Sequence, residues 1–130
     1  MGTRSLTFVY SEHNNKPVVN LYRQFDGYPN GHGAELAEFL NSIEEVTNGI
    51  RLDETRRTAN GMGCLAAQMI AHFKKEVGGF YLHNPDETDC FQDYTYHVYK
   101  DRVEVKGYDE DLFSGSWRDF ETFCHSNHTG

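Results

Sequence analysis

This chain of 130 residues has no long hydrophobic segment, no excess of basic residues and no closely spaced pair of cysteines. No apolar run approaches the roughly 20 residues of a membrane helix, and no basic and then apolar leader is visible, so we expect a soluble, cytoplasmic protein. The formal charge of −8 disfavours duplex nucleic acid and anionic membranes as partners. Cys64, Cys90 and Cys124 fit a reducing compartment better than a disulfide framework.

The sequence does contain many aromatic residues, with 9 Phe and 8 Tyr, and these supply much of the area that a core can bury. Patterns rich in β-forming residues predict strands at 5–10, 17–25, 79–83, 94–99 and 102–106. Periodic apolar residues predict helices at about 33–43 and 62–77, and a third helix from Ser116. This order predicts a single α+β domain, 1–130, in which a mostly antiparallel sheet of about five strands has two to three helices on one face.

Two further segments are expected to lack regular structure. The polar stretch 51–58 is interpreted as a solvated connector, and the tail 125–130 is expected to be disordered. The second predicted helix has an apolar stripe that extends to Val77, where Gly78 and Gly79 should end it. That helix is therefore predicted to be the central packing element.

The most distinctive stretch is a glycine-rich turn between a strand and a helix, Asp26-Gly27-Tyr28-Pro29-Asn30-Gly31-His32-Gly33. Three glycines permit positive φ angles and the close approach of a partner, and Pro29 fixes one φ angle. The free amides at the start of the following helix would attract a phosphate or a carboxylate. The same residues are also consistent with a tight connection in which Asp26 bonds to its own backbone.

A second glycine-led helix start, Asn60-Gly61-Met62-Gly63, repeats this pattern. If the two starts meet, they form one cleft for an anionic or nucleotide-like ligand, with arginines and a tyrosine beside it. Neither GxxxxGK[ST] nor GxGxxG in its required context occurs. The predicted ligand-binding residues lie at or beside the two starts: Arg4, Arg23, Asp26, Gly27, Tyr28, Gly31, His32, Gly33, Asn60, Gly61 and Gly63.

A few residues also fit catalysis. Asp26 and His32 share the constrained turn and could form an acid/base pair. Cys64 lies in the first turn of a helix, where the dipole can activate a thiol, although its position between glycine and leucine favours a small buried apolar residue. A small hydrolase or transferase that uses these three residues is therefore an alternative. Cys124-His125-x-x-His128 contains residues of the types that bind metals, but the sequence has no second group of such residues to complete a site. We therefore predict no metal site and no cofactor.

Acidic residues indicate another class of function, a protein that imitates nucleic-acid phosphates and inhibits a host nucleic-acid-binding protein. A solvated surface explains the same residues. They fall into three groups: Glu35, Glu38, Glu44 and Glu45; Asp86, Glu87 and Asp89; and Asp109, Glu110 and Asp111.

The first third of the chain resembles small uncharacterised proteins encoded by tailed bacteriophages. The similarity rests on Arg4-Ser5, on Gln24-Phe25-Asp26-Gly27-Tyr28-Pro29 and on Gly31-x-Gly33-x-x-Leu36. Members often have histidine and tryptophan where this chain has Gln24 and Phe25, so no role of that histidine carries over. The resemblance implies a viral protein of the host cytoplasm, and small phage proteins often inhibit or sequester components of host defence.

These observations favour a non-enzymatic binding protein over an enzyme. We expect it to hold or sequester a nucleotide-like or other anionic small molecule at the glycine-rich turn, as a homo-oligomer. The acidic alternative has a host protein as its partner.

Overall fold

The computed structural model describes residues 2–47 and 57–126, which contain three α-helices, eight strands and one π-helical turn. In chain order these are β1 (Ser5–Tyr10), β2 (Pro17–Arg23), the π-turn (Pro29–Gly33), α1 (Ala34–Ser42), β3 (Glu45–Thr47), β4 (Thr58–Asn60), α2 (Gly61–Phe73), β5 (Phe80–His83), β6 (Tyr94–Val98), β7 (Val103–Gly107), β8 (Glu110–Gly115) and α3 (Trp117–Ser126).

Six of the strands form one sheet in the order β5-β2-β1-β6-β7-β8. Neighbouring strands pair antiparallel except β1 and β6, which run parallel at the centre. Strands β3 and β4 form a separate parallel pair. The predicted α+β class is confirmed, with six strands in the main sheet rather than about five.

The helices cover one face of this sheet. Side chains alternate between the two faces of a strand, and Val9, Leu21, Tyr96 and Val98 point to the covered face. The helical residues that meet them recur at three- and four-residue spacing, as amphipathic helices require. They are Leu36, Phe39 and Leu40 of α1, Met62, Leu65, Met69 and Phe73 of α2, and Phe120 and Cys124 of α3.

The opposite face carries a second buried cluster, Leu6, Phe8 and Tyr22. The connection between β5 and β6, residues 84–93, covers it, and we call this segment the covering loop. Asn20 of β2 is fully buried and donates from Nδ2 to the backbone oxygens of Asn84, at 3.2 Å, and Glu87, at 2.9 Å. The covering loop is therefore tied to β2 by hydrogen bonds.

The second helix is shorter than predicted. It ends at Phe73 because Lys74 adopts an extended conformation, with φ −86° and ψ 100°. Val77 is fully exposed and does not belong to the apolar stripe. The following glycines, Gly78 and Gly79, adopt the positive φ angles that turn the chain into β5.

Strands β3, β4 and β8 were not predicted. Acidic residues at the start of β8 hide its pattern, and Asp109, with φ 61°, forms the turn that leads into it. Thr58, assigned to the connector 51–58, begins β4, and residues 51–56 of that prediction lie outside the described part. His125 and Ser126, which were assigned to a disordered tail, belong to α3. The rest of that predicted tail, residues 127–130, lies outside the described part of the chain.

None of the described helices has the length and apolar character to cross a membrane.

Candidate functional site

The glycine-rich turn is held together by its own backbone. Asp26, with φ 62°, reverses the chain, and its carbonyl accepts the His32 N–H at 2.7 Å. The N–H groups of Gly31 and Gly33 donate to the carbonyl of Tyr28, at 2.9 and 3.3 Å. The N–H of Gly27 donates to the carbonyl of Thr3 at 2.9 Å. The amides that were predicted to face an anion therefore already have acceptors.

A buried polar network lies beneath this turn. The imidazole of His32 is fully buried, with Nε2 2.8 Å from Oγ1 of Thr7 and Nδ1 3.3 Å from Nη1 of Arg23. Arg23 continues to Glu35, with Nη1 3.0 Å from Oε1. The rings of Phe73 and Tyr96 each lie 5.1 Å from the imidazole. This network connects β1, β2, the π-turn and α1, and it fills the space behind the turn.

The second glycine-led start lies at the N-terminal end of α2, whereas the C-terminal end of that helix contacts the first turn. The backbone N–H of Met62 faces the carboxylate of Glu12, with N–O distances of 3.2 and 3.3 Å. The last residue of α2, Phe73, contacts His32 of the first turn. The two starts are thus separated by the length of α2, about 18 Å at 1.5 Å per residue. The expectation that the two helix starts form a common cleft is wrong. The carboxylate of Glu12 already occupies the second helix start.

The three residues considered for catalysis are also apart. The carboxylate of Asp26 is exposed beside the Tyr28 hydroxyl, at 3.4 Å, whereas the His32 ring is buried and bonded elsewhere. Cys64 lies near the start of α2, where its Sγ accepts a hydrogen bond from Nε2 of Gln68 at 3.4 Å. The described structure therefore forms no contact among these groups.

The remaining sequence candidates are dispersed. Arg4 contacts the covering loop through its backbone, whose N–H donates to Asp93 at 3.0 Å. Asn60 is exposed and makes no side-chain cap bond. Cys124 is buried in the core while His125 is exposed, so they lie on different faces of α3, and His128 is outside the described residues. The three acidic groups lie on separate elements.

A hollow is present instead on the sheet face away from the helices. It has a volume of about 490 Å³ and lies between the covering loop and strands β1, β6 and β7. We call it the open-face groove. Phe8, Tyr10 and His97 form its aromatic side, Pro85, Asp86 and Thr88 of the covering loop form the opposite wall, and Thr95 and Lys106 also border it.

The aromatic side of the open-face groove is built by cross-strand pairs. Phe8 and His97 are register partners on β1 and β6, and their rings stack at 5.5 Å with an interplanar angle of 10°. The Tyr10 hydroxyl lies 2.6 Å from Nδ1 of His97, and the Tyr10 ring stacks on Tyr99 at 4.4 Å. Tyr10 also borders a second hollow of about 330 Å³. These contacts hold His97 in one orientation at the groove.

Burial and charge determine the protonation of these groups. Burial lowers the pKa of His97, against an upward contribution from Glu104, so the ring in the groove is neutral at physiological pH. Burial raises the pKa of Tyr10, so its hydroxyl is protonated and donates to Nδ1. Lys106 supplies a positive charge at the rim, where Nζ pairs with Asp111 at 2.8 Å.

Sequence reasoning missed this groove although part of the signal was visible. Tyr10, His97 and Tyr99 occupy alternate positions of predicted strands, on the faces opposite Val9 and Val98. The missing information was the parallel pairing of β1 with β6, which brings segments about ninety residues apart side by side.

Comparisons with protein-family models, with curated proteins and with solved structures find no match.

Proposed function

We propose that this protein binds a small planar ligand that carries an anionic group, of the nucleotide class, and that the open-face groove holds it. The observation that carries this proposal is a hollow of about 490 Å³ that combines aromatic rings, hydroxyl groups and one lysine. Ligand sites in proteins commonly have volumes of roughly 300–1,000 Å³ and a few polar groups among apolar ones. The ligand class is the one expected from the sequence, but the place differs from the glycine-rich turn.

The aromatic side suits a planar ring. His97 and Tyr10 are half-buried, and the Phe8 ring supports His97 by stacking. Stacking of a base on an aromatic ring contributes roughly 1–3 kcal/mol and tolerates different bases. Thr88, Thr95 and Asp86 add hydroxyl and carboxylate groups that can bond to the exocyclic groups of a base or to a sugar.

Lys106 suits the anionic group. The side chain of Lys106 is 46% exposed, and that of Asp111, whose carboxylate pairs with the ammonium, is 82% exposed. A phosphate can share this ammonium, because an exposed ion pair contributes little to stability and rearranges easily. The protein's overall negative charge then favours ligands that are small, since a long polyanion would meet the acidic surface.

Calorimetric titration with a panel of matched nucleosides and nucleotides tests the proposal. We expect nucleotides to bind more tightly than the corresponding nucleosides. Lys106→Met should weaken nucleotide binding about tenfold while leaving nucleoside binding unchanged, because one charge-assisted contact is lost. Asp111→Asn should strengthen nucleotide binding because it removes the competing carboxylate. Lys100→Met, which makes the same change at the second hollow, is the control.

Thr88→Trp provides a test that does not depend on charge. Thr88 is exposed on the covering loop and borders the groove, so an indole there fills the hollow without disturbing the core. We expect the variant to fold normally and to lose binding of both nucleosides and nucleotides. Binding that survives Thr88→Trp and Lys106→Met, or the absence of binding across the panel, would contradict the proposal.

A further inference from the structure

Three potential metal ligands meet where β5 enters the covering loop. The ligand atoms of His83, Glu87 and Cys90 all lie within 4.8 Å of one another. Nδ1 of His83 is 3.1 Å from Sγ of Cys90, and that Sγ is 3.5 Å from Oε2 of Glu87. In the sequence, Asp86, Glu87 and Asp89 were interpreted only as an acidic group and no metal site was predicted, because His83 and Cys90 beside them were not considered as ligands.

Two of the three separations are close to those of a tetrahedral zinc site, and the third, between His83 and Glu87, is no more than 4.8 Å. With Zn–S at about 2.3 Å and Zn–N and Zn–O at about 2.0–2.2 Å, ligand atoms at tetrahedral angles are roughly 3.4–3.6 Å apart. The Sγ–Oε2 distance already has this value, and the Sγ–Nδ1 distance needs to lengthen by only a few tenths of an ångström. A rotation of the His83 or Glu87 side chain that brings Nδ1 and the carboxylate oxygen from within 4.8 Å to about 3.4 Å would let one cation contact all three atoms.

The surrounding structure orients the ligands. The His83 ring stacks on Tyr22 at 4.8 Å with an interplanar angle of 16°. The backbone of Glu87 is fixed by the bond from buried Asn20 and by its own N–H, which donates to the Asn84 carbonyl at 2.9 Å. The N–H of Cys90 donates to Oε1 of Gln92 at 2.8 Å. These contacts fix the His83 ring and the backbone positions from which Glu87 and Cys90 extend.

We propose that His83, Glu87 and Cys90 form a zinc-binding site that holds the covering loop in place. One imidazole, one carboxylate and one thiolate are ligands that Zn²⁺ accepts, and the thiolate disfavours Mg²⁺ and Ca²⁺. Without metal, the Cys90 thiol donates to Glu87. When Zn²⁺ binds, that proton leaves to solvent, Sγ, Nδ1 and a carboxylate oxygen bond to the cation, and a water molecule completes the four-coordinate shell.

The site is distinct from the open-face groove but shares its loop. Pro85, Asp86 and Thr88, which border the groove, lie beside or between His83 and Cys90 in the chain. Zinc would therefore stabilise one wall of the groove without entering it. The inference does not depend on nucleotide binding, and either proposal can fail alone.

The test uses the full chain after chelator treatment and desalting. Titration with zinc chloride should show one equivalent bound. Titration with cobalt chloride should give the intense visible bands of a tetrahedral site and the near-ultraviolet band of thiolate coordination. Zinc at about 100 times its Kd should raise Tm by roughly 10 °C for a domain of this size. A wild-type protein that binds no equivalent of zinc would overturn the proposal.

Matched variants separate this site from the other thiols. Cys90→Ser should weaken zinc binding at least about 100-fold and remove the thiolate band, since even indirect contacts to a metal contribute 10–100-fold. Glu87→Gln, at an exposed position, should weaken binding while the circular dichroism stays unchanged. Cys64→Ser, the same change on α2, should bind zinc as the wild type does. The proposal fails if Cys90→Ser retains the wild-type affinity, or if the band is lost in Cys64→Ser.

Discussion

The guanidinium of Arg23 donates from Nη1 to Nδ1 of His32 across 3.3 Å, and this contact determines which imidazole nitrogen carries the hydrogen. Arginine has donors only, so Nδ1 must be the acceptor. Nε2 then carries the hydrogen and donates to Oγ1 of Thr7 at 2.8 Å. Burial, together with the charge of Arg23, lowers the pKa of His32 from 6.5 to about 3, so the ring is neutral in the folded protein.

We expect acid to destabilise the protein through His32. Because its pKa is lower in the folded state, the unfolded chain takes up a proton that the folded chain excludes. The contribution of His32 to the free energy of unfolding is complete above about pH 6.5 and falls by about 1.4 kcal/mol per pH unit as the pH approaches about 3. Urea unfolding at several pH values between roughly 7 and 4 measures this slope.

His32→Gln is the matched variant for this measurement. Glutamine offers one donor to Thr7 and one acceptor to Arg23, but it does not titrate. The difference in unfolding free energy between wild type and variant should decrease as the pH falls. His97→Gln should show a smaller change, because that ring is only half-buried. A wild-type-minus-His32→Gln difference that does not vary with pH would contradict the buried, neutral assignment.

Arg23 should contribute more to stability through His32 than through Glu35. Its side chain is 8% exposed, whereas that of Glu35 is 51% exposed. Arg23→Met leaves the buried Nδ1 without a donor and removes the cation that lies 4.9 Å from the Phe80 ring centre, which should cost about 2–3 kcal/mol. Glu35→Gln should cost less than about 1 kcal/mol. Urea unfolding at neutral pH compares them, and equal losses would point to the ion pair as the dominant contact.

The sequence predicted elements better than it predicted contacts between them. The β1–β2 and β6–β7 hairpins follow from local alternation, because their partners are neighbours in the chain. The Thr7–His32 bond and the Phe8–His97 stack depend on how distant segments are placed, which local patterns do not encode. In the glycine-rich stretch, the chain turns at Asp26 as predicted, but Pro29–Gly33 form a π-helical segment that continues into α1. The histidine of this stretch, however, points into the core instead of toward solvent, where a ligand would be.

Glu12 illustrates the same limit and gives a third prediction. It lies 50 residues before Met62, and its carboxylate accepts a hydrogen bond from the Met62 N–H at the start of α2. Glu12→Ala should therefore destabilise the protein by about 1 kcal/mol, as the loss of a helix cap does. The exposed Glu38→Ala on α1 is the control and should change stability by less than about 0.5 kcal/mol. Thermal and urea unfolding measure both variants.

The effect of Glu12→Ala should depend on pH. Burial acts to raise the pKa of Glu12, but hydrogen bonds from its own backbone and from Met62 outweigh it and lower the pKa below 4.5. The stabilisation is thus present above the unfolded value and is lost as the pH falls through the lower folded value. A variant that stays less stable than wild type to the same extent in strong acid would show that the charge is irrelevant to the cap.

Two glycines that were both predicted to contact a ligand should respond oppositely to alanine. A Cβ on Gly27 would lie 2.8 Å from Cβ of Ser5 and 2.9 Å from backbone atoms of Thr3 and Arg4, so Gly27→Ala should cost about 1–3 kcal/mol. A Cβ on Gly63 would meet nothing within 4 Å, and its backbone is helical, so Gly63→Ala should add about 0.5–1 kcal/mol of stability. Urea unfolding of the two variants measures both changes.

Gly63→Ala also discriminates between the two places for a ligand. The open-face groove lies on the sheet face away from α2, so the stabilised variant should bind nucleotides with wild-type affinity. A ligand at the start of α2 would instead need the close backbone approach that glycine allows and would have to displace the carboxylate of Glu12. Reduced nucleotide affinity in a variant that is more stable than the wild type could not arise from unfolding. Such a result would indicate that the ligand binds at Asn60–Gly63 instead of in the open-face groove.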